Sequence, residues 1–406
     1  MEDEHSWLTL CAACAPSAGD PTAYGLRAPA AAAEALATAA SSGLFDGYAH
    51  SSGLSACRAA VAAHHALRLP ATSSGAPALT ANDVLMTHGA SQALSLALGA
   101  IANPHANVLI PRPGFPLYQT LCEYYGIEYR HYDLLPQQGW EVDLAHVSSL
   151  CDANTAAIVV CNPSNPTGSV FTPHHLRAIV ATARSLGCFV IADEVYADIV
   201  WAEGASFVPM AALSDDVPVL SIGALSKRWL VPGWRCGWLL VHDRKHQLAK
   251  AGIVEALNRL VQITIGPTVP VQASVPHLLA NTPRAWHDQV CAGYLAAAEL
   301  CCARAAAAPG LQVDTRPQGA MYLLVRIQLA DFDSPCDSSD VAWAALLQRE
   351  EAVLLLPGTA FGAPGRVRLV LCAPEGVLSD AWDRIHAFCV RHHVGPPMRG
   401  MALSEL

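Results

Sequence analysis

The sequence is poor in charge. Charged residues fill 14% of its 406 positions, and 24 Lys and Arg against 34 Asp and Glu leave a formal net charge of −10. No basic stripe offsets that balance, so the electrostatic footprint of a nucleic-acid binder is missing and no nucleic-acid partner is expected. Hydrophobic residues reach 52%, yet no uninterrupted apolar run approaches the roughly 20 residues of a membrane span, and no membrane partner is expected. The start, Met1-Glu2-Asp3-Glu4, is acidic and lacks the charged-then-apolar pattern of a signal peptide. The end, Ser404-Glu405-Leu406, puts an acid where a peroxisomal address carries a base. The expectation is a cytoplasmic protein, with an organelle left open. Fourteen cysteines form no framework; Cys11 and Cys14 make one C-x-x-C, and a zinc ribbon needs a second. Reduced thiols are the default. What is present is length, enough for a large core and two domains.

Short apolar runs recur along the chain. Val84–Thr87, Asn107–Pro111, Ala156–Val160, Phe189–Ala192 and Val217–Leu220 read as buried strands. Between and around them lie helix-prone stretches, among them Ala28–Ser41, Ala93–Ala102, Ala251–Leu260 and an alanine-rich tract running to residue 308. Strand and helix in alternation imply an α/β fold with a mostly parallel sheet covered on both faces. From Leu311 the character changes. Pro317–Leu323 opens a strand, residues 331–340 form an acidic Ser-rich loop, Ala342–Glu351 reads as a helix, and Gly365–Leu371 alternates like a half-buried strand. The expected division is an N-terminal segment, 1–47, joining a small domain; a large domain, 48–275; and the small α+β domain, 276–406.

The chemistry-bearing residues fall after the strands, where open α/β sheets bind ligands. Lys227 lies just past the Val217–Leu220 run, and Arg235 follows eight residues later, after a Pro-Gly turn. Burial at a strand end disfavours the ammonium and favours the free amine that attacks an aldehyde. A permanent guanidinium suits a phosphate. An isolated Lys-Arg pair is ordinarily a solvated strand end; the company it keeps changes the reading. An amine for an aldehyde and a cation for a phosphate are what pyridoxal 5′-phosphate requires. Asp193 closes the Phe189–Ala192 strand, and a carboxylate buried there is costly unless paired. A pyridinium N–H is one such pair. His88-Gly89-Ala90-Ser91-Gln92 is a small-residue turn opening a helix, where free backbone N–H groups face an anion.

Taken in order, Ser17-Ala18-Gly19-Asp20-Pro21-Thr22, Tyr48-(x)4-Gly53, Gly89-Ala90-Ser91-Gln92, Pro113-Gly114-Phe115, Asn162-Pro163-Ser164-Asn165-Pro166-Thr167-Gly168, Asp193-Glu194-Val195-Tyr196, Ser226-Lys227-(x)7-Arg235 and Arg368 resemble the fold-type-I pyridoxal-phosphate aminotransferases. Lys227-Arg228-Trp229-Leu230-Val231-Pro232-Gly233-Trp234-Arg235 is similar to the tyrosine aminotransferase branch. The resemblance implies an aspartate-aminotransferase-like fold and pyridoxal 5′-phosphate. It implies Lys227 as the amine bonded to the cofactor, Asp193 on the ring nitrogen, and Tyr196 and Asn165 on the phenolic oxygen. Phe115 would stack on the ring. Ala90, Ser91, Gln92 and Arg235 would hold the phosphate, with Tyr48 reaching across a homodimer. Gly19, Asn165 and Arg368 would receive the substrate. Arg368 is preferred to Arg366 on its spacing to Pro374, with Arg366 read as a solvent arginine. One departure is Ala224, where many relatives carry a phosphate-binding serine. The expected reaction is transamination of an L-amino acid, aromatic by the tyrosine branch, with a 2-oxo acid such as 2-oxoglutarate. The alternative is a C–S lyase on the same scaffold. A non-catalytic regulatory module is the third reading; it calls for a winged helix, and sixteen residues precede Ser17.

Overall fold

The computed structural model of the chain describes residues 19–70, 79–103 and 105–395. Cys11, Cys14, Ser17 and the Ser404–Leu406 end lie outside them. Two sheets organise the described residues. The larger holds β1 (Val84–Thr87), β2 (Asn107–Arg112), β3 (Glu128–Leu135), β4 (Glu141–Val142), β5 (Thr155–Cys161), β6 (Phe189–Asp193), β7 (Val219–Ala224) and β8 (Gly237–His242). Their spatial order is β1-β8-β7-β6-β5-β2-β3-β4. Strands β7, β6, β5, β2 and β3 run parallel, while β8, β1 and β4 pair antiparallel.

The parallel strands are apolar because both their faces are covered. Along β5, Ala157, Val159 and Cys161 enter one core with Val108, Ile191 and Leu220. Ile158 and Val160 enter the opposite core with Leu109, Val190 and Val219. That alternation is the two-residue period of a strand. The helix Gly89–Ile101 lies on the first face and the helix Pro173–Leu186 on the second.

The smaller sheet is antiparallel, β11-β12-β10-β9, from β9 (Leu311–Gln312), β10 (Tyr322–Ile327), β11 (Leu356–Pro357) and β12 (Arg366–Val370). It packs on the helices Arg284–Ala307, Asp340–Glu351 and Glu375–His392 around Trp343, Trp382 and Phe388. Residues Tyr24 and Leu26 of the N-terminal segment pack on this core, whereas Ala30–Ser41 packs on the helix Val269–Asn281. The division expected after residue 275 falls inside that helix.

Several boundaries differ from the sequence reading for local reasons. The helix expected from Ala93 begins at Gly89, whose φ of +72° starts the turn without a Cβ penalty. The strand expected to end at Leu220 runs on to Ala224, through Gly223 packed against Trp238. The tract to residue 308 is two helices, Val269–Asn281 and Arg284–Ala307, parted at Pro283. The second is 24 residues long and passes the length and hydropathy test for a membrane span, which no run in the sequence had suggested. Arg284, Asp288, Glu299 and Arg304 punctuate it, and it turns Tyr294, Ala298, Cys301 and Ala305 into the small-sheet core. It is read here as a core helix. The twelve described cysteines are all unbridged, and ten are buried.

Glu194 follows β6 and is buried, its carboxylate accepting from the Met210 N–H at 2.8 Å. Burial pushes its pKa up to about 7, with the Met210 N–H opposing. The folded state therefore binds a proton that the unfolded chain has lost above about pH 4.3. Glu194 contributes falling stability as pH rises from about 4.5 to about 7, and the penalty stays above that. Glu194→Gln should raise the thermal midpoint more at pH 8 than at pH 5, by the equivalent of roughly 1–3 kcal/mol. Equal midpoints for variant and parent at pH 8 would rule out the charge burden on this carboxylate.

Candidate active site

The carboxyl ends of β1, β2, β5, β6 and β7, with the amino end of β8, meet at one edge of the large sheet. Lys227 lies in the short helix Leu225–Arg228 that follows β7. Its Nζ donates to the Gly19 carbonyl oxygen. Burial lowers its pKa from the usual lysine value; Asp20 and Cys372 pull it back up, and Arg368 and Arg235 press it further down. The next residue, Arg228, is tied to Asp198 at 2.6 Å, and Asp198 also pairs with Arg68 at 2.5 Å. Asp198 follows Tyr196 by two residues, so this ion pair joins the Lys227 helix to the Tyr196 loop.

Asp193 ends β6 and is 3% exposed. The Tyr118 hydroxyl donates to its Oδ2 at 2.6 Å and the Val195 N–H lies 3.4 Å from its Oδ1. Burial raises its pKa, and the two donors only oppose that rise. No cation pairs with it among the described residues, so it suits a ligand N–H that carries positive charge. Phe115 turns out of β2 and meets Tyr118 edge-to-face, ring centroids 5.8 Å apart. Both Asn-Pro bonds after β5, Asn162–Pro163 and Asn165–Pro166, are cis. Asn165 is buried, and its Oδ1 accepts from Arg368 Nη1 at 2.9 Å.

Arg368 comes from β12, so this bond joins the two sheets. Its guanidinium lies between the rings of Tyr322, 4.3 Å, and Phe361, 4.4 Å. The Tyr322 and Tyr196 hydroxyls are 2.6 Å apart, and both phenols are buried. The Tyr196 pKa is pushed well above the usual phenol value by burial first. Arg366, expected in solvent, instead pairs with Asp314 at 2.9 Å and lies 5.3 Å from the Trp140 ring centroid. Asp314 precedes β10 by sequence distance, so no local pattern marks it.

The amino end of the Gly89–Ile101 helix forms a cradle. Arg235, at φ +47°, donates to the carbonyls of Pro232 at 3.0 Å and His88 at 3.3 Å. A Cβ on Gly89 would come 2.7 Å from Arg235 Nη2, so the guanidinium lies directly against the helix start. Ala90 and Ser91 lie in the first turn, where N–H groups have no helical partner. An anion is favoured there by the dipole and the arginine together. The Gln92 Oε1 accepts from the His88 N–H at 2.7 Å, and its Nε2 donates to Thr264. Ala224 is buried at the start of the Lys227 helix, with no hydroxyl to add.

The structure thus brings Lys227 to Gly19, Asn165 to Arg368 and Arg235 to His88 and Gly89, all around the sheet edge that Asp193 and Tyr196 close. Tyr48 stands apart, 94% exposed. Sequence reasoning missed Tyr118, Tyr322, Phe361 and Asp20. Tyr118 was within reach, five residues after Pro113 in the turn that carries Phe115. Tyr322 and Phe361 lie in the small domain, and nothing local announces that they sandwich an arginine.

The profile described as "Aminotransferase class I and II" matches residues 17–385. The chain is 43% identical to tyrosine aminotransferase of Mus musculus over 379 residues, covering 93% of this chain and 81% of that protein. It is 36% identical to nicotianamine aminotransferase 1 of Oryza sativa subsp. japonica, covering 94% of this chain and 75% of that one. Its fold is similar to the crystal structure of tyrosine aminotransferase from Leishmania infantum, with a TM-score of 0.89, 34% identity and coverage of 94% and 92%. With the profile spanning nearly the whole described chain and identity above 40% to a curated relative, this chain is a member of the class I and II aminotransferase family.

Proposed function

We propose that this aminotransferase uses pyridoxal 5′-phosphate to move the amino group of an aromatic, tyrosine-like L-amino acid to a 2-oxo acid such as 2-oxoglutarate. The observation that carries the reading is the pairing at one sheet edge of a partly desolvated amine, Lys227, with a buried carboxylate, Asp193, that has no cation of its own among the described residues. The residues fit the cofactor. Asp193 suits the protonated ring nitrogen, Tyr196 and Asn165 the phenolic oxygen, Phe115 the ring face. The Ala90–Gln92 turn and Arg235 suit the phosphate. When bound, the cofactor supplies an aldehyde for amine exchange and a sink for the electrons of the substrate α-carbon.

The chain supplies the rest. Arg368 grips the substrate α-carboxylate through its planar fork, with Asn165 fixing the guanidinium from one side and Gly19 leaving room beside it. Lys227, as a free amine, takes the α-proton and returns it. Asp193 holds the ring-nitrogen proton in place. The named substrates of the mouse and Leishmania proteins support tyrosine as the donor. Homodimerisation belongs to the same proposal, and the exposure of Tyr48 supports its contact with a neighbouring copy.

A panel of amino donors against 2-oxoglutarate, read as keto-acid formation, tests the reaction. Tyrosine and phenylalanine should lead; release of pyruvate and ammonia from a thioether amino acid without an acceptor would turn the assignment to a lyase. Lys227→Ala should remove turnover and the visible absorbance that comes from the bond between Lys227 and the cofactor, and an unchanged spectrum would reject Lys227. The pH–rate profile should rise on its alkaline-going limb through a midpoint below lysine's usual ~10.4, because burial favours the free amine. Arg368→Lys loses the fork and should lower kcat/KM for the amino acid by about 10- to 100-fold. A variant within twofold of the parent would show that the carboxylate is held elsewhere.

A further inference from the structure

We infer that Tyr322 is a positioning residue of the active site: its hydroxyl donates to the Tyr196 phenol, so that the single Tyr196 proton is aimed at the cofactor, while its ring braces Arg368. The inference rests on the function proposed above and assigns a role to a residue outside the motifs that led there.

The geometry starts from strand register. Leu324 of β10 lies opposite Arg368 of β12, so Tyr322, two residues away, shares the face of Arg368 at the diagonal position. That places its ring 4.3 Å from the guanidinium, with Phe361 closing the other side at 4.4 Å. The hydroxyl at the far end of the same ring lies 2.6 Å from Tyr196 Oη. It also limits residue 19, where an added Cβ would come 3.0 Å from Tyr322 Oη. Gly19 in turn accepts from Lys227. One side chain therefore touches the residues that frame the amine, the phenol and the carboxylate receptor.

The direction of the hydroxyl pair follows from its surroundings. Each phenol has one proton to give, and neither is open to water, at 3% and 2% exposure. A guanidinium over the Tyr322 face draws charge away from its oxygen and makes it the better donor. Burial raises both phenols and Arg368 opposes the rise at both, but Tyr196 alone is driven well above the usual phenol value. Tyr322 then donates and Tyr196 accepts. The Tyr196 proton is left for another acceptor, which in the proposed function is the phenolic oxygen of the cofactor. Among the described residues, the other ionisable groups around the pair are Arg368, Cys161, Cys372 and Tyr294, with Lys227 beyond Gly19. Burial pushes both thiols up to about 12, so they stay neutral across an ordinary titration.

The test is a pH titration of the visible absorbance of the cofactor-loaded protein, run on the parent, Tyr322→Phe, Tyr196→Phe and the double variant. A donor on the phenolic oxygen steadies it as an anion. Weaker donation lets that oxygen hold the proton beside it more tightly, and the titration midpoint moves up. Tyr322→Phe keeps the ring on Arg368 and should raise the midpoint by about 0.5–1 pH unit. Tyr196→Phe should raise it at least as far, and the double variant should match Tyr196→Phe alone, because Tyr322 acts through Tyr196. Gly19→Ala, whose Cβ presses on the Tyr322 hydroxyl, should move the midpoint the same way if Tyr322→Phe proves unstable. An unmoved midpoint, or shifts that add in the double variant, overturns the inference, whatever happens to thermal stability. A parent band that survives Lys227→Ala would instead strike the proposed function itself.

Discussion

A carboxylate sealed at the end of the central strand, with a phenol and an amide for company and no cation among the described residues, is the constraint on which this site depends. Asp193 can be kept there only because Tyr118 and Val195 donate to it, and its pKa stays raised even so. A buried charge lacking its counterpart is costly. In most of the chain such costs are settled internally, as where Arg228 and Arg68 share Asp198. Asp193 has no such partner among the described residues, and in the proposed function a ligand N–H completes it. The parallel order of β5, β6 and β7 supplies the geometry, since it delivers Asn165, Asp193 and Lys227 to one edge from three loops.

The second organising fact is that the site spans both sheets. Asn165 and Arg368 are 203 positions apart and form one hydrogen bond. Tyr322 and Tyr196 do the same across 126 positions. The large sheet provides a partly desolvated amine, a buried carboxylate and a helix start with an arginine against it. The small sheet provides a cation held between two aromatic rings. Neither half is chemically complete, so relative placement of the sheets decides whether the groups act together.

Much of this was legible in the sequence, and the reasons are physical. Buried parallel strands need apolar side chains on both faces, so β5, β6 and β7 announced themselves as unbroken apolar runs. Asn-Pro steps, a Gly-Ala-Ser turn and a Lys after a strand are local devices, and local devices survive in one dimension. Where the reading went astray, the deciding partner was distant. Arg366 looked solvent-facing because alternation says nothing of Asp314 and Trp140 across the fold. Helix Gly89–Ile101 looked shorter because its first turn carries the small residues of an anion cradle rather than apolar ones. Tyr118 and Tyr322 drew no reading, since the polar end of each finds its partner only in three dimensions.

The cysteines carry a consequence of their own. Ten of the twelve described are shut inside the cores, and Cys57, Cys122, Cys188, Cys236, Cys301 and Cys389 all have thiols made less acidic by burial. Electrophiles react with the thiolate, so alkylating reagents meet little of it while the fold is intact. Opening of either sheet bares several sulfurs at once. Uptake of label, counted by mass at the described cysteines, therefore tells how often each half of the molecule breathes, and needs no engineered residue.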